Sequence, residues 1–506
     1  MPRRAQTRWL KNFQGYSDSI VPGGGLTTTS DLLNVKTRFG HVFGRGGMTK
    51  WNGISTSSGT DIIGLFNYRL ASGTHRATRM LPAAFQEFSS GAWNAATGTA
   101  LTGTQTSQPQ YTIIDDTLIF TNGVDLPRKY TGTGNSSSIA SGTSPYGKGV
   151  VNYLGFLFIF NVSDSGTFTD VVDGHRMGRY SDDWDNNWTG CDGNSITLDE
   201  TPGAWNAAVV LGRNLYCLKT DGIVQVRFVG GALRFNQELM GADVGCVAPL
   251  SLAQVGDTMA LFLGTDGVIY TISAQGIAPV THETLWNTLP TTLSLARLKW
   301  ARGVVDSEED TYYLFYDRTG LSNQLLDSYV SYNYRTREVQ KGTLGTNIIA
   351  TCEFKPTDQQ AEAILVSTPT LVEEFDSGAD DDGVAITRRW TTGWQTLESS
   401  TAYLHGVRLV ARKSRNARVK IDVATNFDPT YQFTQVFSLQ GGSPSDELVD
   451  ITYHIPPQRC ENVKVRVRFY ADSATAGMEM QALGLEVSDS QPTGDMPDRG
   501  QINRKL

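Results

Sequence analysis

The sequence predicts an all-β protein in which a β-propeller-like domain of six or seven short blades is followed by an antiparallel β-sandwich. Three observations predict this fold class: a composition rich in turn residues, a strand unit that recurs along the chain, and a strictly alternating pattern near the C-terminus. The chain has 506 residues, 39% of them hydrophobic, with 52 Gly and 18 Pro. It is long enough for two or more domains, and its short apolar runs favour strands joined by turns.

The recurring unit is clearest in two stretches, LKTDGIVQV from Leu218 and LGTDGVIYTI from Leu263. In each, an Asp-Gly pair separates two apolar runs, and the second pair follows the first after about 45 residues, within the range of known repeats. A tight hairpin needs a residue with positive φ, which the glycine would supply. We therefore interpret Asp221-Gly222 and Asp266-Gly267 as hairpin turns and not as ligands.

Weaker copies of the unit lie on both sides of these two. The middle strands of six copies are predicted to begin near Leu118, Phe156, Leu215, Ala260, Tyr312 and Ala363. A period of roughly 40 to 50 residues is typical of propeller blades, whereas sandwiches and barrels give regular strands without a longer period. The stretch DIIGLFNYRLASGTHRATRM is a seventh candidate, although the long Gly/Thr-rich loop from Ser89 to Gln110 leaves the first blade poorly defined. The propeller-like domain is placed at residues 51–385.

Residues 386–490 are predicted to form the sandwich. In ENVKVRVRFYADS and two similar stretches, apolar and basic residues alternate, which indicates strands with one buried face and one wet face. The basic face either meets an acidic partner or is simply solvated. Residues 491–506 are interpreted as an exposed tail.

The charges divide the chain into a basic N-terminal arm, residues 1–50, and an acidic body. The arm carries eight basic and two acidic side chains, while the whole chain has a net charge of -8. Such an arm favours an acidic protein surface or nucleic acid as its partner, unless it is a solvated tail. The acidic body argues against wrapping DNA, because duplex binding needs Lys and Arg to replace condensed counterions.

Motifs that would carry chemistry are missing from the sequence. The 5 Cys include no CxxC pair, the 6 His are scattered, and there is no Walker A loop, GxGxxG, GxSxG or HExxH motif. Asp183, Asp185 and Asn187 have the spacing of the first EF-hand ligands, but Trp188 stands at the glycine position, so turn formation is favoured over calcium binding. A propeller glycosidase would repeat a Ser-x-Asp-x-Gly-x-Thr-Trp box, which is not found. We predict no enzyme activity, no metal site and no cofactor.

No membrane segment is predicted, since the best apolar run, LGFLFIF, is far shorter than the ~18 residues of a membrane span. The start of the chain has no apolar core of a signal peptide. We expect a protein that is made in the cytoplasm of its host and stays soluble.

Two stretches carry a resemblance to a known family. They are TTTSDLLNVKTRFGHVFGRGGMTKWNG, from Thr27 to Gly53, and DGHRMGRYSDDWDNNWTG, from Asp173, with the strands that follow it. Both resemble tail nozzle proteins of short-tailed bacteriophages, also called head-to-tail or packaged-DNA stabilisation proteins. The order of elements matches over residues 25 to 490, although few individual residues do.

The resemblance implies a structural virion protein located in the tail. Nozzle subunits form a homo-oligomeric ring, typically a hexamer, beneath the portal and adaptor proteins, and they extend and gate the DNA channel for genome retention and ejection. Tail fibres or spikes bind the outside, and DNA passes through the lumen without sequence-specific binding. On this reading Arg3, Arg4, Arg8 and Lys11 would contact the adaptor, and no residue would be catalytic. The alternative is a propeller-type glycan- or receptor-binding protein of a phage tail.

Overall fold

The computed structural model describes most of the chain. The described residues are 6–16, 29, 31–53, 59–139, 144–163, 174–185, 188, 194–231, 234–280, 293, 295–318, 320, 324–357, 360–397, 402–413, 417–439, 447–471, 478–488 and 501–503. Within these ranges the regular structure consists of β-strands in nine sheets with a few short 3-10 turns, and there is no α-helix. The predicted all-β class is therefore confirmed.

Six of the sheets are four-stranded meanders that follow one another along the chain, each pairing its strands in sequence order. The first blade contains β6 Gly64–Arg69, β7 His75–Met80, β8 Phe85–Ser89 and β9 Ala92–Ala95. The second contains β10 Gln110–Ile114, β11 Thr117–Thr121, β12 Arg128–Tyr130 and β13 Ser137–Ser138. The third contains β14 Tyr146–Tyr153, β15 Phe156–Ser163, β16 Met177–Ser181 and β17 Asn194–Thr197. The fourth blade contains β18 Trp205–Leu211, β19 Asn214–Lys219, β20 Gly222–Phe228 and β21 Phe235–Ala242. The fifth contains β22 Ala253–Val255, β23 Met259–Leu263, β24 Ile269–Ser273 and β25 Gly276–Pro279. The sixth contains β26 Arg302–Asp306, β27 Thr311–Tyr316, β28 Leu326–Asn333 and β29 Val339–Ile348.

A seventh blade is completed by the N-terminal part of the chain. Its strands are β30 Ala350–Phe354, β31 Ala363–Ser367, β32 Val372–Phe375 and, on the outside, β5 Met48–Lys50. β5 pairs antiparallel with β32, so that Lys50 lies opposite Glu373 and Met48 opposite Phe375. Two short strands, β33 Asp380–Asp381 and β34 Val384–Ala385, extend this sheet beyond β5.

The described blades close into a ring. The first strand of each blade packs against the first strand of the next along β6, β10, β14 and β18, and again along β22, β26 and β30, while β18 reaches the fifth blade through β23. β30 packs against β6, which joins the last blade to the first. The chain therefore forms a seven-bladed propeller whose inner wall consists of first strands, and closing a ring in this way leaves only short, protected strand edges.

The predicted repeat is confirmed in its six clearest copies. The six predicted middle strands are the second strands of blades two to seven, and the additional candidate at residues 61–80 forms the first two strands of the first blade. The two Asp-Gly pairs lie between second and third strands, as predicted, but they differ in detail. Gly267 has φ +80, whereas Gly222 begins β20 without positive φ, and a Cβ there would lie 3.0 Å from the side chain of Thr201. The positive φ predicted for this turn is thus found at Gly267 and not at Gly222, where the glycine accommodates a close neighbour.

The predicted sandwich is formed by two antiparallel sheets that share one core. The first sheet contains β37 Tyr403–Lys413, β40 Glu447–Arg459 and β42 Met478–Ser488, and the second contains β35 Arg388–Thr391, β36 Gln395–Thr396, β38 Ala417–Thr425, β39 Phe433–Leu439 and β41 Asn462–Ala471. The alternating apolar residues of β38 and β41 point inward and are fully buried, among them Val419, Ile421, Val465 and Val467.

The prediction of an N-terminal arm is wrong for the described part of residues 1–50. β1 Gln6–Leu10 pairs with β42, β2 Asp31–Leu33 pairs with β35, and β3 Val35–Arg38 pairs with β4 His41–Gly44, which also pairs with β42. The apolar side chains of these strands are buried in the core, so Leu10, Leu32, Val35 and Val42 are at most 1% exposed. Likewise β43 Gln501–Asn503, within the predicted tail, pairs with β40.

One buried carboxylate pairs with two arginines of the basic sandwich strands. Asp422 is 1% exposed and accepts hydrogen bonds from Arg466 at 2.9 Å and from Arg468 at 2.8 Å. Burial alone would raise the pKa of Asp422, but the hydrogen bonds from Thr434, Arg466 and Arg468 outweigh it and lower the pKa. Part of the positive charge of these strands is therefore compensated within the sandwich.

The sandwich is held to the propeller through ion pairs of the N-terminal segment. The ammonium of Lys36, on β3, bonds to both Glu309 in the sixth blade and Asp376 after β32 in the seventh. Burial would lower the pKa of Lys36, but Asp376, Tyr313 and Glu309 raise it well above its ordinary value. The cation is therefore kept charged at the point where sandwich and two blades meet.

Arg45 is the most buried of these cations. Its side chain is 0% exposed and makes a two-pronged ion pair with Asp381, with Nη1 to Oδ1 at 2.9 Å and Nη2 to Oδ2 at 2.8 Å. The guanidinium also lies over the rings of Phe375 and Tyr329, 5.4 Å and 5.7 Å from their centroids. Paired charges in a fixed planar geometry define one relative placement of propeller and sandwich.

Glu373 is buried beside this junction without a hydrogen-bond partner. It is 0% exposed, and neither carboxyl oxygen has a partner. Burial, with the negative charges of Asp382 and Asp381, raises its pKa from 4.5 to about 7, and Lys50 opposes the shift. Between these two values the folded protein binds more protons than the unfolded chain, so stability decreases as the pH rises through this window.

Glu373→Gln is therefore expected to flatten the pH dependence of stability. A neutral amide avoids the buried charge, so the variant should be more stable than the parent at pH 8 by roughly 1 to 3 kcal/mol, and the difference should shrink towards pH 5. Urea unfolding at both pH values measures this. Glu238→Gln, at an exposed position on β21, is the matched control and should leave the pH dependence unchanged. An unaltered pH dependence in Glu373→Gln would contradict the assignment.

Candidate functional site

The propeller axis contains a cavity of about 460 Å³. Its walls are the first strands of several blades, which contribute Phe66, Ile113 and Val304, together with the segment Leu250–Gln254. A volume in the range of about 300 to 1,000 Å³ is typical of sites for small molecules. The size of this cavity falls within that range.

A loop crosses the axis at one end of this cavity. It is the Gly/Thr-rich connection between β9 and β10. The sequence alone predicted no structure for this loop. Gln324, in the sixth blade, donates from Nε2 to the carbonyls of Ser107, at 3.5 Å, and Gln105. Gln108 donates from Nε2 to the carbonyl of Lys299 at 2.5 Å. These bonds join the loop, which connects the first blade to the second, to the sixth blade.

Arg302 positions Gln324, the residue that bonds to this loop. It is 3% exposed and donates from Nε to the carbonyl of Ile349 at 2.9 Å and from Nη2 to Gln324 Oε1 at 3.1 Å. Burial lowers the pKa of Arg302 to about 9. The bond from Arg302 orients the amide of Gln324, whose other end holds the loop.

A second cavity, of about 470 Å³, lies at the end of the axis that the loop covers; we call it the mouth pocket. Its residues come from the beginnings of first strands and the ends of second strands, which lie on the same face because the two strands are antiparallel. The described lining residues are Thr104, Thr106, Ser107, Gln108, Gln110, Asn122, Gly123, Val124, Lys148, Asn161, Asn206, Thr220, Val247, Pro249, Lys299 and Trp300. The lining is thus dominated by amide and hydroxyl side chains.

Asn161 is the most constrained side chain of the mouth pocket. It interrupts the apolar run of β15, and its backbone has φ 54 where the pairing of β14 with β15 passes from Gly149–Phe160 to Gly147–Val162. The residue is 3% exposed, and its Nδ2 donates to the carbonyl of Trp205 at 3.2 Å. Its Oδ1 has no hydrogen-bond partner. A buried acceptor without a donor is costly unless a bound molecule supplies one.

The charge of the mouth pocket is opposite to that of the whole chain. Its described lining includes Lys148 and Lys299 and no acidic residue. Burial, together with the positive charge of Lys299, lowers the pKa of Lys148. The ammonium of Lys299 lies 4.7 Å from the centroid of the Trp300 ring. The charged side chains of the described lining are thus two lysines.

The predicted partner-binding residues are not brought together at this site. Arg3 and Arg4 lie outside the described residues. Arg8, on β1, donates from Nη1 to the carbonyl of Thr396 at 3.0 Å, so it contacts the sandwich. Lys11 is exposed just beyond β1. Whether these residues contact an adaptor stays a prediction.

The acid-rich segment considered for calcium is only partly described. Asp185 forms an ion pair with Lys129 in the second blade, and Trp188 is fully buried, while Asn187 lies outside the described residues. Over the ranges given above, no group of three or more His, Cys, Asp or Glu side chains is placed to hold a metal ion. The same ranges contain no helix with the length and hydrophobicity needed to cross a membrane.

Comparisons with known proteins give structural likeness only. No protein-family profile matches the chain, and no curated protein matches it. Among solved structures, the chain is similar to the WD40 domain of Pan2 from Neurospora crassa, with 9% identity, a TM-score of 0.36, and coverage of 66% of this chain and 95% of that one. It is also similar to YCF48 from Cyanidioschyzon merolae, with 8% identity, a TM-score of 0.37, and coverage of 65% and 98%. The propeller assignment here depends on the strand pairing of the chain itself.

Proposed function

We propose that this chain is a structural virion protein that forms the tail nozzle of a short-tailed bacteriophage. In this role it extends and gates the DNA channel below the portal and adaptor, retaining the genome and releasing it on ejection. The observation that carries the proposal is the fixed junction between propeller and sandwich, in which Lys36 and Arg45 are buried in ion pairs. A ring built from repeated contacts needs subunits whose two domains keep one relative placement.

The proposal places the DNA channel between subunits. DNA would run through the lumen of a homo-oligomeric ring, with a hexamer as the proposed state, and not along the axis of one propeller. A net charge of -8 favours a lumen wall that makes few counterion-releasing contacts with the duplex. The duplex could then slide without sequence-specific binding. We assign the chain no catalytic residue and no cofactor.

Mass measurement of the purified protein, alone and mixed with the portal-adaptor complex encoded in the same genome, tests this proposal. We expect a monomer or small oligomer alone and a stoichiometric ring, six copies in the proposed state, on the complex. In the second part of the test, Arg8→Ala and Lys11→Ala together should weaken the association if the predicted contact with the adaptor is correct. A protein that never associates with the complex would contradict the nozzle proposal.

The mouth pocket is the observation that favours the second candidate function. A glycan- or receptor-binding protein of a phage tail needs a polar pocket on an exposed face, and the mouth pocket has amide, hydroxyl and ammonium groups on one face of the propeller. Binding to immobilised glycans by the monomer, without association with the portal-adaptor complex, would select this function over the first.

A further inference from the structure

We propose that the turn between β3 and β4, residues 38–40, docks the side chain of Phe39 into an apolar pocket of a partner protein. We call these three residues the hairpin tip. The inference rests on the proposed function, in which the partner is the adaptor, and it names the residue that anchors the contact. Three features of the hairpin tip carry it: the exposure of Phe39, its backbone conformation, and the cations beside its ring.

Phe39 is the most exposed of the large apolar side chains that the structure describes. It is 86% exposed, whereas the next in order, Val229, is 56% exposed. Its ring therefore adds almost nothing to the core, although β3 and β4 bury Val35 and Val42. One exposed apolar residue needs no explanation by itself. Aromatic side chains, however, dominate the binding energy of many protein interfaces, so a ring held in water is suited to a partner's pocket.

The backbone of Phe39 is the second feature. Arg38 pairs with His41, so the loop has two residues, Phe39 with φ 52 and Gly40 with φ 76. Two successive positive φ values define a hairpin turn in which Asn, Asp or Gly is favoured at the first position. A bulky phenylalanine is sterically disfavoured there. A residue that is poor for the turn and absent from the core indicates a role outside the fold.

The hairpin tip is held in place by the segment that follows β1. Phe13 donates from its backbone N–H to the carbonyl of Gly40 at 2.9 Å. A Cβ on Gly40 would lie only 2.8 Å from the Cα of Asn12, so the two backbones are in close contact. β4 also pairs with β42 of the sandwich. The ring is therefore presented on a fixed support, which reduces the entropy lost on binding.

Two cations lie on the same surface as the ring. The guanidinium of Arg38 lies 5.2 Å from the ring centroid of Phe39. Arg38 is also 3.8 Å from Glu309, but its side chain remains 56% exposed. Lys11, which the sequence predicted as a partner contact, is exposed as well. Because the residue that follows Lys11 packs against Gly40, the lysine and the hairpin tip belong to one surface.

These features define the chemistry of the partner. An apolar pocket that accepts one phenyl ring would bury Phe39, and carboxylates at the rim of that pocket would pair with Arg38 and Lys11. A lipid surface fits less well, because binding to a membrane interface needs a broad apolar face and the hairpin tip offers one ring. Nucleic acid fits less well, because the chain has a net charge of -8.

Phe39→Asn separates docking from folding. Asparagine is favoured at the first position of this turn, so the urea midpoint of the full chain should stay the same or rise. Titration of the portal-adaptor complex encoded in the same genome, followed by sedimentation, should show an affinity at least 10-fold lower than that of the parent. Arg38→Gln should also weaken the association and reduce its dependence on salt. A side chain that only supports the fold would not lower affinity while keeping stability.

Phe427→Asn is the matched control. Phe427 lies in the turn between β38 and β39, in the other sheet of the sandwich, and is also exposed (51%) with positive φ (61). Its ring, however, packs against Trp394, with 5.1 Å between the centroids, so its side chain has a contact within the fold. This variant should associate with the complex as the parent does and should unfold at the same or a lower urea concentration.

The outcomes that overturn the inference are distinct. If the parent forms its ring on the complex and Phe39→Asn binds with the same affinity, the inference fails and the nozzle proposal stands. If the parent never associates, both fail. A lower urea midpoint for Phe39→Asn would show that the ring serves the fold. Flotation of the parent, but not of Phe39→Asn, with phosphatidylglycerol vesicles would assign the hairpin tip to a membrane, and self-association lost in Phe39→Asn would assign it to a second copy.

Discussion

Deletion of residues 1–50 is expected to abolish cooperative folding of both domains. The deletion removes the outer strand of the seventh blade and four strands of the sandwich, including Leu32, Val35, Val42 and Met48, each at most 1% exposed. Losing one such side chain costs about 2 to 5 kcal/mol. The four together amount to about 8 to 20 kcal/mol, which is as large as the ~5 to 15 kcal/mol that stabilises a typical domain. Circular dichroism during urea unfolding measures the effect.

Deletion of residues 1–5 is the matched control, since it leaves every described strand intact, and it should unfold as the parent does. A peptide of residues 29–53, added to the larger truncation during refolding, should restore part of the transition because it supplies β2 to β5. A truncated protein that lacks residues 1–50 and yet unfolds cooperatively at the parent's midpoint would show that the segment is a dispensable arm after all.

Arg45→Met is expected to destabilise the protein by about 3 to 5 kcal/mol. Asp381 is 1% exposed, and losing its partner leaves a buried carboxylate that retains only backbone donors such as the N–H of Gly345, at 2.7 Å. The double variant Arg45→Met with Asp381→Asn removes this charge and should recover part of the loss. Urea unfolding of the parent, both single variants and the double variant gives the coupling free energy.

The control for this cycle is an exposed ion pair on the propeller surface. Arg227 and Glu238 are 3.3 Å apart, with side chains 49% and 56% exposed. Exposed pairs contribute about 0 to 1 kcal/mol, so Arg227→Met should have little effect. If Arg45→Met lowers the free energy of unfolding no more than Arg227→Met does, this ion pair does not hold the junction. The rigid junction on which the proposed function depends would then be contradicted.

The repeat was predictable because each blade is a local structure. Strands two and three of a blade are neighbours in sequence, and Leu215 or Tyr312 sits in an apolar run next to its own turn. The closure of the ring was not predictable in this way. β5 has three residues, and its partner β32 begins at Val372, so no local pattern connects Met48 to Phe375.

The N-terminal segment was misread for a related reason. Its strands are short and carry cations such as Lys36 and Arg45, which in a linear reading indicate a solvated arm. Their partners, Asp376 and Asp381, lie more than 300 residues further along the chain, near the predicted boundary between the two domains. Charge complementarity between these two distant stretches was visible in the sequence, but it did not by itself indicate burial.

The mouth pocket was missed because its residues come from loops and strand ends of several blades. One signal was available, because Asn161 directly follows the apolar run LGFLFIF. A polar residue within a buried strand indicates a structural or functional role for its side chain. The loop between β9 and β10 gave no comparable sequence signal of its position. The contacts of Ser107 and Gln108 with the sixth blade exist only because the ring is closed.

The central claim is that this chain is a fixed two-domain subunit of a ring below the portal and adaptor. Electron microscopy of the assembled complex of portal, adaptor and this protein tests the claim most directly. We predict a coaxial ring of copies, six in the proposed state, attached to the adaptor, with each propeller closed along its own axis and the common channel between subunits. Copies bound singly to the outside of the tail, or no density for this protein on the complex, would contradict it.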